Sequence, residues 1–207
     1  MLSYDMKVMS QCNYACSKAN RMLGLIKRTI KSRTTDIMLL LYKSLVRPHV
    51  EYCSSVWSPY FEKDKNQIER IQHRFTRLFP ELSNKPYEDR LDILGLWSLE
   101  ERRNRADLIE VFKIVKGLSN LDHKLFFDIE TSSRTRGHTL KIIKHRFSSL
   151  NRQYFFSQRV ISRWNSLDQD TVDATSINGF KSKLSKLRLK KMGLFMDNPS
   201  AGPRGHI

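Results

Sequence analysis

Residues 42–59 read YKSLVRPHVEYCSSVWSP, and residues 68–79 read IERIQHRFTRLF. The second stretch repeats apolar residues at helical spacing and places Arg70, Arg74 and Arg77 along one edge. The first stretch concentrates large apolar side chains around two prolines: Tyr42, Leu45, Val46, Val50, Tyr52, Val56 and Trp57. Together they predict a buried helical hub followed by an amphipathic helix with a basic edge.

Hydrophobic periodicity predicts further helices on both sides of this hub. A stripe from Met9 to Ile30 predicts a helix over residues 5–31, and Thr34 or Thr35 is a candidate cap for the next helix, which Pro48 should stop or kink. The remaining predicted helices cover residues 63–79, 87–94, 98–116, 151–167 and a segment after Ser176.

Local start and stop signals define the helix over residues 98–116 most sharply. Ser98 followed by Glu101 forms a capping box, in which each residue satisfies a backbone N–H of the other. Gly117 supplies a C-terminal stop, as Gly95 does for the preceding helix. Ser176 is a candidate N-cap for the last helix.

These elements predict an all-α or nearly all-α protein, a bundle of about six to eight helices in two lobes. A short β-hairpin near residues 135–147 is the one expected departure from helix. The predicted boundaries are a thumb-like helical domain at 1–120, a basic C-terminal helical region at 121–190 and a disordered tail at 191–207.

The charge of the chain points to a polyanionic partner. Its 37 Lys and Arg outnumber its 21 Asp and Glu, giving a net charge of +16. Residues 1–60 hold nine basic against three acidic side chains, and residues 121–207 hold sixteen against seven. Nucleic acid is the commonest neutralising partner of such an excess. A solvated charged surface or a membrane-surface binder is the alternative.

The cysteine count predicts a reduced, intracellular protein of the nucleus or cytoplasm. Cys12, Cys16 and Cys53 are an odd number without the spacing of a disulfide framework. No secretory signal and no apolar run of membrane-spanning length is present, so no membrane association is expected. Cys12 and Cys16 lie on an apolar stripe, which favours core thiols over a zinc site completed by His49 or His73.

No catalytic constellation is recognisable in the sequence. Nucleotidyl transfer by two metal ions requires clustered carboxylates, and no adjacent pair of aspartates occurs. A glycine-rich phosphate loop, a GxSxG motif and an HExxH motif are also missing. The expectation is therefore a protein that is not an enzyme, with no catalytic residue, no metal and no cofactor.

Basic side chains are the remaining candidates for function, as phosphate contacts. Arg102 and Arg103 begin the capped helix, where Glu100 and Glu101 are alternative partners for them. A flexible loop gives its basic residues no core role, which favours phosphate contact there. The full candidate set is Lys18, Arg21, Lys27, Arg28, Lys31, Arg70, Arg74, Arg77, Arg102, Arg103, Arg134, Arg136 and His138.

Seven segments in order carry a resemblance to a known family. They read KANRMLGLIKR (18–28), YKSLVRPHVEYCSSVWSP (42–59), IERIQHRFTRL (68–78), YEDRLDILGLWSLEERRNRADLIEVFKIVKG (87–117), TRGH (135–138) and FFSQRVISRWNSL (155–167), followed by FKSKL (180–184). The chain resembles the region after the palm in reverse transcriptases of LINE-type non-LTR retrotransposons. One departure is Asp168, since the family usually has Leu-Pro after Trp-Asn.

The resemblance implies the thumb and following helices of an RNA-directed DNA polymerase, standing alone as a fragment, a truncated copy or a piece of a gene model. Such a region would bind template–primer RNA, DNA or hybrid through phosphates, largely without sequence preference, and would not catalyse. The alternatives are a helical module for an acidic protein partner and a decayed transposon remnant without function. The sequence leaves the oligomeric state open.

Overall fold

The computed structural model describes residues 8–31, 34–131, 137–191 and 193–197. Helices account for 65% of the described residues, and these residues form no strand, which confirms the nearly all-α prediction. The helices are α1 Met9–Thr29, α2 Thr35–Leu41, α3 Arg47–Glu51, α4 Ser54–Trp57, α5 Glu62–Thr76, α6 Tyr87–Ile93, α7 Leu99–Val115, α8 Leu150–Gln153, α9 Phe156–Arg159, α10 Ile161–Asn165, α11 Gln169–Val172 and α12 Ile177–Lys190.

The described residues divide into two compact units. The N-terminal unit runs to Arg102 and the C-terminal unit spans Arg103–Asp197. The boundary therefore lies inside α7, whereas the sequence analysis placed it near residue 120. A helix with a strong cap and a strong stop gives no sequence signal in its middle, so periodicity had no means of locating a division there.

The core of the N-terminal unit forms where α1 packs against α5. Small side chains on α1, such as Ala15 and Ala19, are buried and allow close approach of the two helices. From α5, Ile68 and Phe75 point inward, and Phe75 stacks on Tyr42 with 4.1 Å between ring centroids. The apolar stripe predicted for the first helix is thus the face that the core buries.

Pro48 does not stop its helix. The π-helical segment Tyr42–Val46 joins α2 directly to α3, and Pro48 occupies one of the first two positions of α3. Proline is tolerated at a helix start because its ring and missing N–H disturb only the turn before it. The wider π turn absorbs that disturbance, and Val46 and Val50 remain fully buried on either side of the proline.

The hub is only half buried, which corrects the sequence analysis. Tyr42, Val46, Val50 and Trp57 are in the core, but one side of the α2–α4 segment faces solvent. A run that is apolar all round indicates burial without showing how many neighbours cover it. The large apolar side chains left exposed are Ile37, Leu40, Leu45, Tyr52 and Val56.

A buried hydrogen-bond network centred on Gln72 joins four parts of the N-terminal unit. The Tyr42 hydroxyl donates to Oε1 of Gln72 over 2.7 Å. Nε2 of Gln72 donates to the Trp97 carbonyl over 2.9 Å and to the Tyr87 hydroxyl over 3.1 Å. Burial, together with the nearby Glu69 carboxylate, raises the pKa of both tyrosines, so the hydroxyls stay protonated and able to donate.

Glu69 extends this network to the start of α7. Its two carboxylate oxygens accept the backbone N–H of Leu99 at 3.1 and 3.0 Å, and Oε1 also accepts the Tyr87 hydroxyl. A carboxylate at a helix N-terminus complements the positive end of the helix dipole. Glu69 thereby caps a helix thirty residues away in sequence.

The predicted caps and stops are present. Ser98 and Glu101 form the reciprocal capping box, with N–H to side-chain distances of 3.0 and 3.1 Å. Gly95 and Gly117 adopt φ of +58° and +65° after α6 and α7, the left-handed conformation that ends a helix. The Ser176 hydroxyl accepts the N–H of Gly179 over 3.0 Å at the start of α12.

The C-terminal unit has its own aromatic core. Phe112 of α7 stacks on Phe180 of α12 at 4.3 Å, and the fully buried Trp164 donates its indole N–H to the Leu140 carbonyl. The helix predicted over residues 151–167 is divided into α8, α9 and α10, and the extended backbone of Phe155 separates α8 from α9. This division raises the number of helices above the predicted six to eight.

Two expectations for the C-terminal unit are corrected. Instead of a hairpin at 135–147, the described residues hold one antiparallel bridge, Ile129 to Ile142. The tail predicted at 191–207 includes an ordered turn at residues 193–197, where Phe195 is buried and its carbonyl accepts from Asn104 over 2.7 Å. Residues 198–207 lie outside the described part of the chain.

Tyr42→Phe should lower the free energy of unfolding by about 1–3 kcal/mol, because it leaves the Gln72 carbonyl oxygen buried without its donor. Chemical denaturation measures this change. Tyr52→Phe makes the same substitution on an exposed ring and should change stability by less than about 0.5 kcal/mol. Equal effects of the two variants would show that the network does not stabilise the unit.

Candidate nucleic-acid interface

The N-terminal unit presents a polar seam between α1 and α5. The Gln67 amide donates to Oδ1 of Asn13 over 2.6 Å, and Nη1 of Arg74 donates to Oδ1 of Asn20 over 2.7 Å. Both contacts join residues 54 positions apart. Because the offset is constant, the two helices run parallel, and the same edges of each face one another along the seam.

The α5 side of the seam carries a basic ridge. Arg70, Arg74 and Arg77 are exposed and line one groove of about 480 Å³ together with His73. This confirms that the three arginines share one helix edge. His73 stacks on Tyr87 with 3.5 Å between ring centroids, and burial together with Arg90 and Arg77 lowers its pKa. The ridge arginines therefore carry the positive charge of this groove.

Two of the three acidic residues of α5 have partners other than the ridge arginines, and one of these two, Glu69, also lines the ridge groove. Glu62 pairs with Lys65 at 3.2 Å, and Glu69 is held by Leu99 and Tyr87. Asp64 is buried, and burial raises its pKa despite the charge of nearby Lys63. Within the described ranges, no carboxylate forms an ion pair with any of the three ridge arginines. The ridge thus keeps its charge available for an external anion.

The α1 side contributes small and polar groups. The sequence of α1 contains no acidic residue. Helical geometry places Asn13, Ser17, Asn20 and Gly24 on one stripe, and this stripe faces the ridge. Nothing lies within 4 Å of where a Cβ on Gly24 would be, so the seam is open at that point. These neutral residues were not among the predicted contacts, although their shared spacing is visible in the sequence.

The predicted basic residues of the first helix are all exposed: Lys18, Arg21, Lys27, Arg28 and, just beyond α1, Lys31. At 100° per residue, Lys27 falls on the seam stripe. Arg21 and Arg28 fall on the outer face of α1, and Lys18 on its opposite flank. Lys31 follows Ile30, whose extended backbone ends the helix, so helical spacing does not place it. The basic residues of α1 therefore surround its exposed half, and Lys27 extends the seam.

Arg102 and Arg103 leave the candidate set. Nη2 of Arg102 donates to Oε2 of Glu51 over 3.0 Å, and its Nε contacts the other carboxylate oxygen. This bidentate pair is structural, and its partner is Glu51 rather than Glu100 or Glu101. The Arg103 side chain is only 2% exposed, so it is buried and does not reach a phosphate.

His138 is corrected in the same way. It is 3% exposed, and its Nε2–H donates to the Trp164 carbonyl over 3.0 Å. Nδ1 is buried and has no hydrogen-bond partner among the described residues. Burial lowers the pKa of His138, although the Trp164 carbonyl opposes this shift. Arg134 and Arg136 lie outside the described residues.

The remaining sequence predictions concern thiols, metals and membranes. Cys12 and Cys16 are buried on α1, which confirms their place in the core, and Cys53 is exposed. Across the described ranges, no three His, Cys, Asp or Glu side chains come together as a metal-binding group. In the same part of the chain, no helix combines the length and apolar character needed to cross a bilayer.

No protein-family model, curated protein or solved structure matches the chain. The functional proposal therefore depends on the geometry of the seam and on the motifs of the sequence.

Stability should fall as the pH drops from 7 toward 5, partly through His138. The folded state keeps the imidazole neutral, whereas the unfolded chain takes up a proton below about pH 6.5, so acid favours unfolding. Denaturation curves at several pH values should show a smaller loss for His138→Gln than for the wild type. His145→Gln, at an exposed histidine, should retain the loss. An unchanged pH dependence in His138→Gln would contradict this role.

Proposed function

We propose that the chain binds nucleic acid through its phosphates as the non-catalytic thumb and post-palm region of a LINE-type reverse transcriptase. The observation that carries this proposal is the seam, where exposed arginines face an acid-free helix while the nearby carboxylates are engaged elsewhere. The resemblance of the seven sequence segments supplies the family. The partner class is RNA, DNA or an RNA–DNA hybrid.

The dimensions of the basic ridge suit a nucleic-acid strand. Arg70 to Arg77 covers about 10 Å at 1.5 Å per residue. A strand of duplex DNA carries one phosphate per about 3.4 Å of axis, so three phosphates lie over a similar length. Arginine is suited to this contact because its planar guanidinium donates two parallel hydrogen bonds to phosphate oxygens. Such contacts carry no base information, which accounts for binding without sequence preference.

A second candidate is a module for an acidic protein. The exposed apolar side chains of Ile37, Leu40 and Val56 favour it, since protein interfaces combine apolar and charged groups. The ridge itself favours nucleic acid, because no large apolar side chain is among the residues that line its groove. We therefore place the phosphate interface at the seam and retain the acidic partner as the alternative.

The purified chain should not extend a primer. Two-metal nucleotidyl transfer requires clustered carboxylates, and the sequence has no adjacent aspartate pair. Extension of a primed RNA template would be measured with Mg²⁺ and with Mn²⁺. Template-dependent synthesis that disappears when one of the chain's own carboxylates is changed to its amide would overturn the non-catalytic proposal.

Binding to duplex DNA or to an RNA–DNA hybrid should weaken steeply with salt. Each phosphate contact on duplex DNA contributes about −0.9 to the slope of log affinity against log salt concentration. Replacing Arg70, Arg74 and Arg77 together by Gln should therefore reduce the slope by about 2 to 3. A salt titration of affinity for wild type and variant, on two unrelated base sequences, measures both slope and sequence preference.

A charge-matched control distinguishes an effect of the seam arginines on binding from an effect of lower net charge. Changing Lys43, Lys85 and Lys124 to Gln removes the same charge at exposed positions that do not line the ridge groove. This control should keep nearly the whole wild-type slope. Equal salt slopes for the wild type and for the ridge variant, in which Arg70, Arg74 and Arg77 are Gln, would reject the interface. Weak binding of nucleic acid by the wild type even at low salt would favour the acidic protein partner.

A further inference from the structure

A second groove lies between α1 and α3 on the other flank of α1. Gln11, Tyr14 and Lys18 line it from α1, at positions i, i+3 and i+7 of one stripe. Pro48 and His49 line it from α3, and Tyr52, the residue that follows α3, completes it around a volume of about 260 Å³. The phosphate seam uses neither tyrosine, and the core does not bury them.

Both tyrosine rings are unusually open to solvent. Tyr14 is 56% exposed and Tyr52 is 77% exposed. Tyr52 is nevertheless well anchored, because its N–H donates to the Pro48 carbonyl over 3.0 Å and its carbonyl accepts the Trp57 indole N–H over 2.7 Å. Cys53 follows it at φ +52° and turns the chain. The backbone thus presents the ring from a fixed position, with its apolar faces unburied.

The charge at this groove selects among the ligands that would cover such rings. Nζ of Lys18 lies 4.4 Å from the centroid of the Tyr14 ring. Among the described residues that line the groove there is no carboxylate, and His49 is a second basic side chain. Aromatic rings beside a cation and away from acids match the stacked bases and phosphates of single-stranded nucleic acid.

We propose that Tyr14 and Tyr52 form a stacking site for unpaired bases, with Lys18 contacting the adjoining phosphate. Helical geometry places Arg21 and Arg28 on the outer face of α1, between this groove and the seam. A strand leaving a duplex held at the seam would therefore cross basic residues before reaching the tyrosines. This inference rests on the proposed nucleic-acid binding and adds a contact to the bases that the seam lacks.

The test compares two oligomers with identical backbones. One is a short oligo(dT), and the other is an abasic oligomer of the same length and charge. The wild type should bind oligo(dT) more tightly, by about 5- to 150-fold for one stacked base. The double variant Tyr14→Leu, Tyr52→Leu should lose this preference and keep its affinity for the abasic oligomer. The double variant Tyr14→Phe, Tyr52→Phe keeps the rings and should keep the preference.

The ridge variant separates the two proposals. Replacing Arg70, Arg74 and Arg77 by Gln should weaken both oligomers alike and leave their ratio unchanged. Equal binding of the two oligomers by the wild type would overturn the stacking site alone, as would a preference that survives both leucines. If the wild type binds neither oligomer at low salt but still binds duplex DNA, the stacking site alone fails. If it binds neither the oligomers nor the duplex, the proposed function fails and the stacking site with it. Tyrosine-dependent binding of a proline decapeptide in place of oligo(dT) would also overturn it, by assigning the groove to a peptide.

Discussion

The N-terminal unit depends on one constraint: every hydrogen-bonding group of the buried Gln72 side chain must have a partner. A buried carboxamide needs a donor for its oxygen and acceptors for its two N–H groups, and leaving one of these groups unsatisfied costs about 1–3 kcal/mol. Tyr42 supplies the donor, while Tyr87 and the Trp97 carbonyl supply the acceptors. These groups come from the π segment, from α6 and from the turn before α7. Satisfying one amide of α5 therefore fixes the positions of three other segments around it.

The same network determines where positive charge remains available. Glu69 is the carboxylate of α5 that lies closest to the ridge, since it shares the ridge groove, yet its oxygens are taken by Leu99 and Tyr87. The carboxylate thus serves as a helix cap instead of neutralising Arg70 or Arg77. A net charge is a property of the whole chain, but a local excess arises only when acids are assigned to internal tasks. In this unit that assignment produces the basic seam.

The π segment is a second feature on which this unit depends. It carries the helix through Pro48 while keeping Val46 and Val50 in the core. Tyr52 follows at the end of α3, and its ring is exposed to solvent. π-helical turns are frequent at functional sites. Here the exposed ring lines the groove proposed for base stacking.

The sequence by itself determined the elements whose signals are local. The capping box at Ser98, the stops at Gly95 and Gly117 and the cap at Ser176 are each made by residues within a few positions of one another. Periodicity likewise identified the buried stripe of α1 and the arginine edge of α5, because both are properties of a single helix. These predictions needed no knowledge of any neighbouring element.

Only the tertiary structure decided which predicted cations remain outside. Arg102 pairs with Glu51, which is 51 residues away, and Arg103 and His138 are buried. All three are nevertheless of residue types that commonly contact phosphates. The seam likewise joins residues 54 positions apart, among them Asn20 and Arg74. The period of a pattern indicates that a helix has two faces, but which partner covers a face depends on how distant segments pack. That packing, and not residue type, separates a structural arginine from one available to a ligand.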